Sequence, residues 1–251
     1  ELLTASPRFA GADLSGPLAV SIGSAPLAPA TLKKLQDRMP QASVMNSYGL
    51  TEAGPAYITM PREEADRRVG SVGKPMPPME IKVVDPDTDE PRPPNEVGEL
   101  LVRLPGKRRE YYKDDGANAA TWTGDGWLRT GDLAYLDEDG FVYISGRIKD
   151  MIIRGGNNIY ATDVEAVILE HPDVREAAVV GVPHRVLGED VGAFVVRKDG
   201  AALDADGLLA FCAQHLADYK RPRHVWFVDE LPRNATGKVM KHKLREEIAR
   251  R

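Results

Sequence analysis

The chain of 251 residues holds a single cysteine, Cys212. One thiol excludes a disulfide framework and a Cys/His zinc site, and it suits a reducing cytoplasm. Cys212 lies in LLAFCAQHL, an amphipathic helical pattern, where a lone thiol reads as a small core residue rather than a nucleophile. Long apolar runs are lacking as well, so no transmembrane segment is expected, and no signal peptide is recognisable. Charge of one sign is lacking too. The net charge of −5 gives no electrostatic argument for nucleic acid or an anionic membrane. The basic C-terminal run (Lys238, Lys241, Lys243, Arg245, Arg250, Arg251) alternates with Glu246 and Glu247, and it reads as a solvated helix face. There is no internal repeat and no low-complexity tract. There is also no initiator Met: ELLTASPRF passes almost directly into a strand-like run, as the middle of a domain would.

What is present is an ordinary globular composition, 42% hydrophobic and 28% charged. The length allows one large domain or two smaller ones. LAVSIGSAPL reads as a buried strand with a Gly/Ser/Pro turn. PATLKKLQDRM follows with Leu32, Leu35 and Met39 at helical spacing, and ASVMNSY is a second strand. Residues 15–55 therefore read as β-turn-α-β in a mostly parallel sheet. From about 70 to 145 the texture changes to short strands with Pro/Gly turns, ending in a hairpin around Asp137–Gly140, as in a small β-barrel or sandwich. After Gly146 comes a compact α+β unit. KDMIIRGGNNIY forms a strand pair with its turn at 155–158, and Thr162 to Glu165 forms a capping box over a helix with Val164, Val167 and Ile168 inward. Two β runs, a helix near 203–217, the strand HVWFVDE and a helix from about Lys241 complete it. The expected boundary lies at 147–150, giving units 1–147 and 148–251.

Several segments carry more Gly, Thr, Asp and paired charge than folding needs. NSYGLTEAG puts Thr51 and Glu52 just past a strand end, where ligands gather in α/β sheets. A hydroxyl beside a carboxylate suits a phosphate oxygen and its Mg²⁺, though a strand-end turn also accounts for the pair. RTGDLAY puts Asp132 in a tight Gly turn, fit to accept hydrogen bonds from vicinal hydroxyls or to stabilise its own turn. SGRIKDMIIRGG gathers Arg147, Lys149, Asp150 and Arg154 at the boundary. LPRNATGKVMK places Lys238 after a polar loop that reads as flexible. It is not a P-loop, because Val239 follows the lysine.

In order, GSAPL, NSYGLTE, RTGDLAYLDEDGFVYISGRIKDMIIRGGNNIY and LPRNATGKVMK closely resemble the adenylate-forming superfamily: acyl-CoA synthetases, nonribosomal adenylation domains and firefly-type luciferases. The resemblance is strongest to fatty-acid–CoA ligases and spans nearly the whole chain. It implies an α/β and α+β fold: the C-terminal part of the large AMP-binding domain, a sheet piece plus a small β-barrel, followed by a small mobile C-terminal domain. It also implies activation of a small-molecule carboxylate, a fatty acid, by ATP with Mg²⁺ to acyl-AMP, followed by thioester formation with coenzyme A.

Residue by residue, the resemblance implies that Ser24, Ala25 and Pro26 line the adenine and acyl pocket. Asn46, Ser47, Tyr48, Gly49, Leu50 and Thr51 wrap the adenine and α-phosphate, with Tyr48 stacked on the base. Thr51 bonds phosphate, Glu52 holds Mg²⁺, and Asp132 and Arg147 bind the ribose. Lys149 is the hinge. Gly155 and Gly156 let the pantetheine arm pass, Asn158 contacts coenzyme A, and Lys238 is the adenylation lysine. The family's Ser/Thr/Gly-rich phosphate loop is not among these residues, so the resemblance implies a missing N-terminal part of the same enzyme. A carrier-protein adenylation domain and a noncatalytic nucleotide- or CoA-binding remnant are the alternatives.

Overall fold

A computed structural model describes residues 6–23, 29–106 and 108–250. Ser24, Ala25 and Pro26 lie outside the described residues. The chain divides into two compact units, Glu1–Ile144 and Ser145–Arg251.

In the first unit a short helix α1 (Pro7–Gly11) precedes strand β1 (Ala19–Ile22). Helix α2 (Pro29–Arg38) then leads to β2 (Ser43–Leu50), which runs parallel to β1 with Ala19 opposite Ser43. The helical spacing read from the sequence is realised, for Leu32, Leu35 and Met39 are buried together with Phe9 and Val44. Strand β3 (Gly54–Thr59) turns back antiparallel on β2, and β4 (Lys74–Pro75) pairs with β3. Only the β1–β2 pair of this sheet is parallel, because a connection as short as residues 51–53 permits only an antiparallel return.

A second sheet follows in the order β5 (Glu80–Val84), β6 (Gly98–Arg103), β7 (Leu128–Leu136), β8 (Val142–Arg147), with helix α3 (Asp115–Thr121) between β6 and β7. Leu100, Val102, Leu128, Ala134 and Val142 form its core together with Tyr57 and Ile58 of β3. The hairpin around Asp137–Gly140 forms as expected. Asp137 turns the chain by accepting the Gly140 N–H at its carbonyl and the Phe141 N–H at its carboxylate.

The second unit is built on the sheet order β10 (Asn157–Ile159), β9 (Ile152–Arg154), β12 (Gly188–Arg197), β11 (Val174–His184), with β13 (His224–Phe227) parallel to β12. The apolar runs of β11 and β12 are continuous because both faces are covered. Val179, Val191, Ala193 and Val195 pack with Val164 and Ile168 of α4 (Ala161–Glu170) and Leu208 and Cys212 of α5 (Ala205–His215). Alternate residues Ala178, Val180, Phe194 and Val196 pack on the other side with Leu231 and with Leu244 of α6 (Lys241–Arg250). Cys212 is fully buried, and burial pushes its thiol up to about 11, which keeps it protonated and inert. Among the described residues no helix is long and apolar enough to cross a membrane.

Two local readings need correction. The capping box does not form: α4 has no side-chain cap at Tyr160, and the Thr162 hydroxyl donates to the Ser145 carbonyl instead. Glu165 is drawn inward, where it accepts the Val179 N–H at 2.7 Å and pairs with Lys241 at 2.7 Å. The C-terminal basic run is therefore not merely a solvated face. Lys241 is largely buried in that pair, and Arg245 reaches the Lys149 carbonyl and the Asp150 carboxylate, at 3.1 and 2.8 Å.

Candidate active site

In the first unit the site is assembled where β2 ends. Ser47 is buried, with its hydroxyl 2.9 Å from that of Ser21 and 3.2 Å from the Ile22 carbonyl. The Asn46 side chain accepts the N–H of Ser47, and Tyr48 follows. Its hydroxyl donates to the Asp132 carboxylate, and its ring meets Tyr57 edge-on with centroids 5.8 Å apart. Burial first, and then the negative charge of Asp132, hold the Tyr48 phenol far above its usual range. Tyr48 is thus a donor at any working pH.

Asp132 does not sit in a turn, as its Gly neighbour suggested. It lies inside β7 and is buried, at a register break where Leu100 of β6 stands opposite residues 130–132. Gly131 takes a φ of +67° there, a conformation that a side chain resists. The Thr130 hydroxyl accepts the Asp132 N–H at 3.0 Å and donates to the Leu100 carbonyl at 2.6 Å. The bulge turns the Asp132 carboxylate toward Tyr48.

Past Leu50, the turn holding Thr51 and Glu52 is overlaid by the segment 108–112. Arg109 donates to the Thr51 carbonyl at 2.6 Å, and the Tyr111 hydroxyl donates to the Glu52 carboxylate. That bond raises the Tyr111 phenol above its ordinary value, with burial a lesser cause. The segment is held from behind: Asn118 of α3 bonds the Tyr111 N–H and carbonyl, and the Trp122 indole donates to the Arg109 carbonyl. Sequence reasoning missed Arg109, Tyr111 and Tyr57. The one available signal was the aromatic pair in EYYKDD, directly before the Asp114 cap of α3. Among the described residues no cluster of three or more His, Cys, Asp or Glu forms a metal cage. Thr51 and Glu52 fit a hard cation held mainly by phosphate oxygens and water.

The second unit carries the remaining candidates. Arg147 ends β8 and is exposed; Lys149 is exposed in a single 3₁₀ turn, Ile148–Asp150. The β9–β10 turn is tighter than expected. Gly155 and Gly156, both at positive φ, make it alone, and Asn157 and Asn158 already belong to β10, with Asn158 paired to Ile153. Two acceptors brace this hairpin: buried Asp190 holds Arg154 at 2.7 Å, and the Leu187 carbonyl takes the Gly155 N–H at 2.8 Å.

Lys238 is exposed, and its ammonium has no hydrogen bond or ion pair among the described residues. Its loop is not the slack tether the sequence suggested. Asn234 Oδ1 accepts the N–H groups of Thr236 and Lys238 and the Thr236 hydroxyl, and Arg233 joins the Gly237 carbonyl to Glu176. An ordered hairpin, not a flexible arm, presents the charge.

The sequence model of the family described as "AMP-binding enzyme" matches residues 1–112, and that of the "AMP-binding enzyme C-terminal domain" matches residues 163–238. The chain is 40% identical over 242 residues to the putative acyl-CoA synthetase YngI of Bacillus subtilis, covering 96% of this chain and 44% of that protein. It is 43% identical over 205 residues to the 2-succinylbenzoate–CoA ligase of Geobacillus kaustophilus, covering 82% and 41% respectively. Among solved structures, ATP-bound MatB from Rhodopseudomonas palustris superposes with a TM-score of 0.86 at 37% identity, over 98% of this chain and 48% of that one. The O-succinylbenzoate coenzyme A synthetase of Bacillus subtilis with AMP gives 0.82 at 34% identity, over 97% and 48%. The chain thus spans less than half the length of these relatives.

Proposed function

The chain belongs to the family of AMP-binding enzymes, and we propose that it serves an acyl-CoA synthetase reaction of the cytoplasm, with a fatty acid as the carboxylate. A carboxylate oxygen attacks the α-phosphorus of ATP and pyrophosphate leaves. The sulfur of coenzyme A then attacks the acyl carbon and AMP leaves. The observation that carries the reading is the meeting of Tyr48 and Asp132, which brings the ends of two separate motifs to one spot.

In this reading the Tyr48 ring faces the adenine, and the Asp132 carboxylate takes the ribose hydroxyls, joined by Arg147. Residues Asn46 to Leu50 wrap the base, Thr51 bonds phosphate, and Glu52 holds Mg²⁺, which neutralises phosphate charge when bound. Tyr111 orients the Glu52 carboxylate. Lys238 stands against the charge that builds at the α-phosphate during adenylation. A donor so placed in a water-excluded site contributes on the order of 3 kcal/mol of barrier reduction. Lys149 is the pivot between half-reactions, and the turn at Gly155 and Gly156, with Asn158 beside it, admits the thiol arm of coenzyme A.

The test joins this chain downstream of the preceding portion of the Bacillus subtilis relative and supplies ATP, Mg²⁺ and coenzyme A with acids from acetate to long-chain and aryl. Acid-dependent formation of AMP and acyl-CoA, best with a fatty acid, is expected. Nucleotide binding without pyrophosphate release would sink the enzyme reading, and transfer only to a carrier protein would sink the coenzyme A reading.

A further inference from the structure

Glu99 of β6 is a carboxylate with 4% of its surface exposed, opposite Val84 and Leu133 on the neighbouring strands. A charge in such a place is costly unless it is paired and hydrogen-bonded. Both of its oxygens are engaged, and both by the same short stretch of β7. Oε2 accepts from Arg129 at 2.8 Å, and Oε1 accepts the backbone N–H of Gly131 at 3.2 Å. Arg129 is itself held from its far side by Asp89.

One of these donors, Arg129, flanks the register break, and the other, Gly131, lies within it. Glu99 is opposite Leu133 and Leu101 is opposite Arg129, so the extra residues of β7 must be kept out of the ladder by something other than strand pairing. Thr130 holds one side through the Leu100 carbonyl, and Glu99 holds the other through Gly131. The next residue is Asp132. No step of the reaction above uses Glu99, yet it is the acid on which the bulge rests.

We propose that Glu99 is a positioning residue for Asp132: it fixes the β7 bulge so that the Asp132 carboxylate meets Tyr48 and the ribose hydroxyls of the adenylate. The proposal rests on the reading of Asp132 as ribose acceptor. An amide in place of the carboxylate still offers a carbonyl to Gly131. An aspartate keeps the charge beside Arg129 but is one methylene short of reaching Gly131 as well.

The test uses this chain with tyrosines labelled ¹³C at Cζ, the Tyr48 signal being assigned by its loss in Tyr48→Phe. In Glu99→Asp and Glu99→Ala the Tyr48 signal is expected to move toward its position in Asp132→Asn. AMP affinity falls at least tenfold, while affinity for 2′,3′-dideoxy-AMP stays within twofold. Glu99→Gln keeps AMP affinity within threefold. If Glu99→Ala does not fold, Glu99→Asp carries the comparison. A folded Glu99→Asp with the native Tyr48 signal and native AMP affinity overturns the proposal. So does an equal loss for both nucleotides, which is what a general packing role produces. Should the native chain bind no AMP, the ribose reading fails, and the Tyr48 signal still decides whether Glu99 sets the position of Asp132.

Discussion

The Tyr48 hydroxyl and the Asp132 carboxylate are 2.5 Å apart, across 84 residues of sequence. One end of that bond is set by β2 and its parallel pairing with β1, the other by a bulge in β7. Removing the hydroxyl leaves a buried carboxylate short of a donor, at a cost of about 1–3 kcal/mol. Tyr48→Phe keeps the ring and is expected to lower stability by that amount and to weaken AMP binding about tenfold. Urea unfolding and calorimetric titration check the two effects.

Lys238 offers a sharper split. Its ammonium is exposed on an ordered hairpin, so truncating it disturbs no packing. In the complete ligase, Lys238→Ala is expected to slow adenylation about 100- to 1000-fold. Thioester formation from supplied acyl-adenylate stays within a few-fold of native. Equal loss in both half-reactions, followed by pyrophosphate release and by coenzyme A consumption, would remove the assigned role.

How much of this was legible beforehand can be argued from single residues. Leu32, Leu35 and Met39 announced α2 because a helix of that period has one buried face, and the Asp137–Gly140 turn carried its own chemistry. Asp132 was legible as a ligand candidate but not as a strand residue. Its bulge is a property of pairing with β6, which no local window contains. The bond from Tyr111 to Glu52 spans 59 residues and depends on α3 holding the intervening segment. Lys238 was found by its motif, yet its loop was misread. Asn, Thr and Gly signal a turn equally well whether Asn234 spends its oxygen on water or on its own backbone. Thr162 went wrong for a different reason: the helix starts at Ala161, so Thr162 lies inside the first turn and not at the cap, and its hydroxyl donates to the Ser145 carbonyl.

Arg245 ties the Lys149 carbonyl and the Asp150 carboxylate to α6. The segment that follows the proposed pivot therefore belongs firmly to the second unit. Arg245→Ala is expected to cost about 1–2 kcal/mol and to speed amide exchange at residues 148–151 while sparing β11 and β12. Lys149→Pro should leave each half-reaction measurable and abolish alternation between them. Native overall turnover in that variant contradicts the pivot.

Burial pushes the Glu165 carboxyl up, and Lys241 opposes the rise. A carboxyl whose native pKa is raised contributes stability that is fully present below its unfolded value and is lost as pH rises through the native one. Lys241→Met removes the opposing cation and raises Glu165 further. The variant is expected to lose about 3 kcal/mol at pH 7, with the deficit shrinking as pH falls toward 4.5, the ordinary value of the group. Urea midpoints at the two pH values decide it; a deficit that grows on acidification contradicts the buried pair.

The most direct measurement is calorimetric binding of a non-hydrolysable acyl-adenylate analogue to this chain, beside its 2′,3′-dideoxy counterpart and the Asp132→Asn variant. Binding of the analogue that weakens at least tenfold when either the ribose hydroxyls or the Asp132 charge is removed, with no further loss when both are removed together, is the result predicted here. Indifference to both changes, or additive losses from the two, would contradict the assignment of Asp132 to the ribose and with it the nucleotide site built around Tyr48.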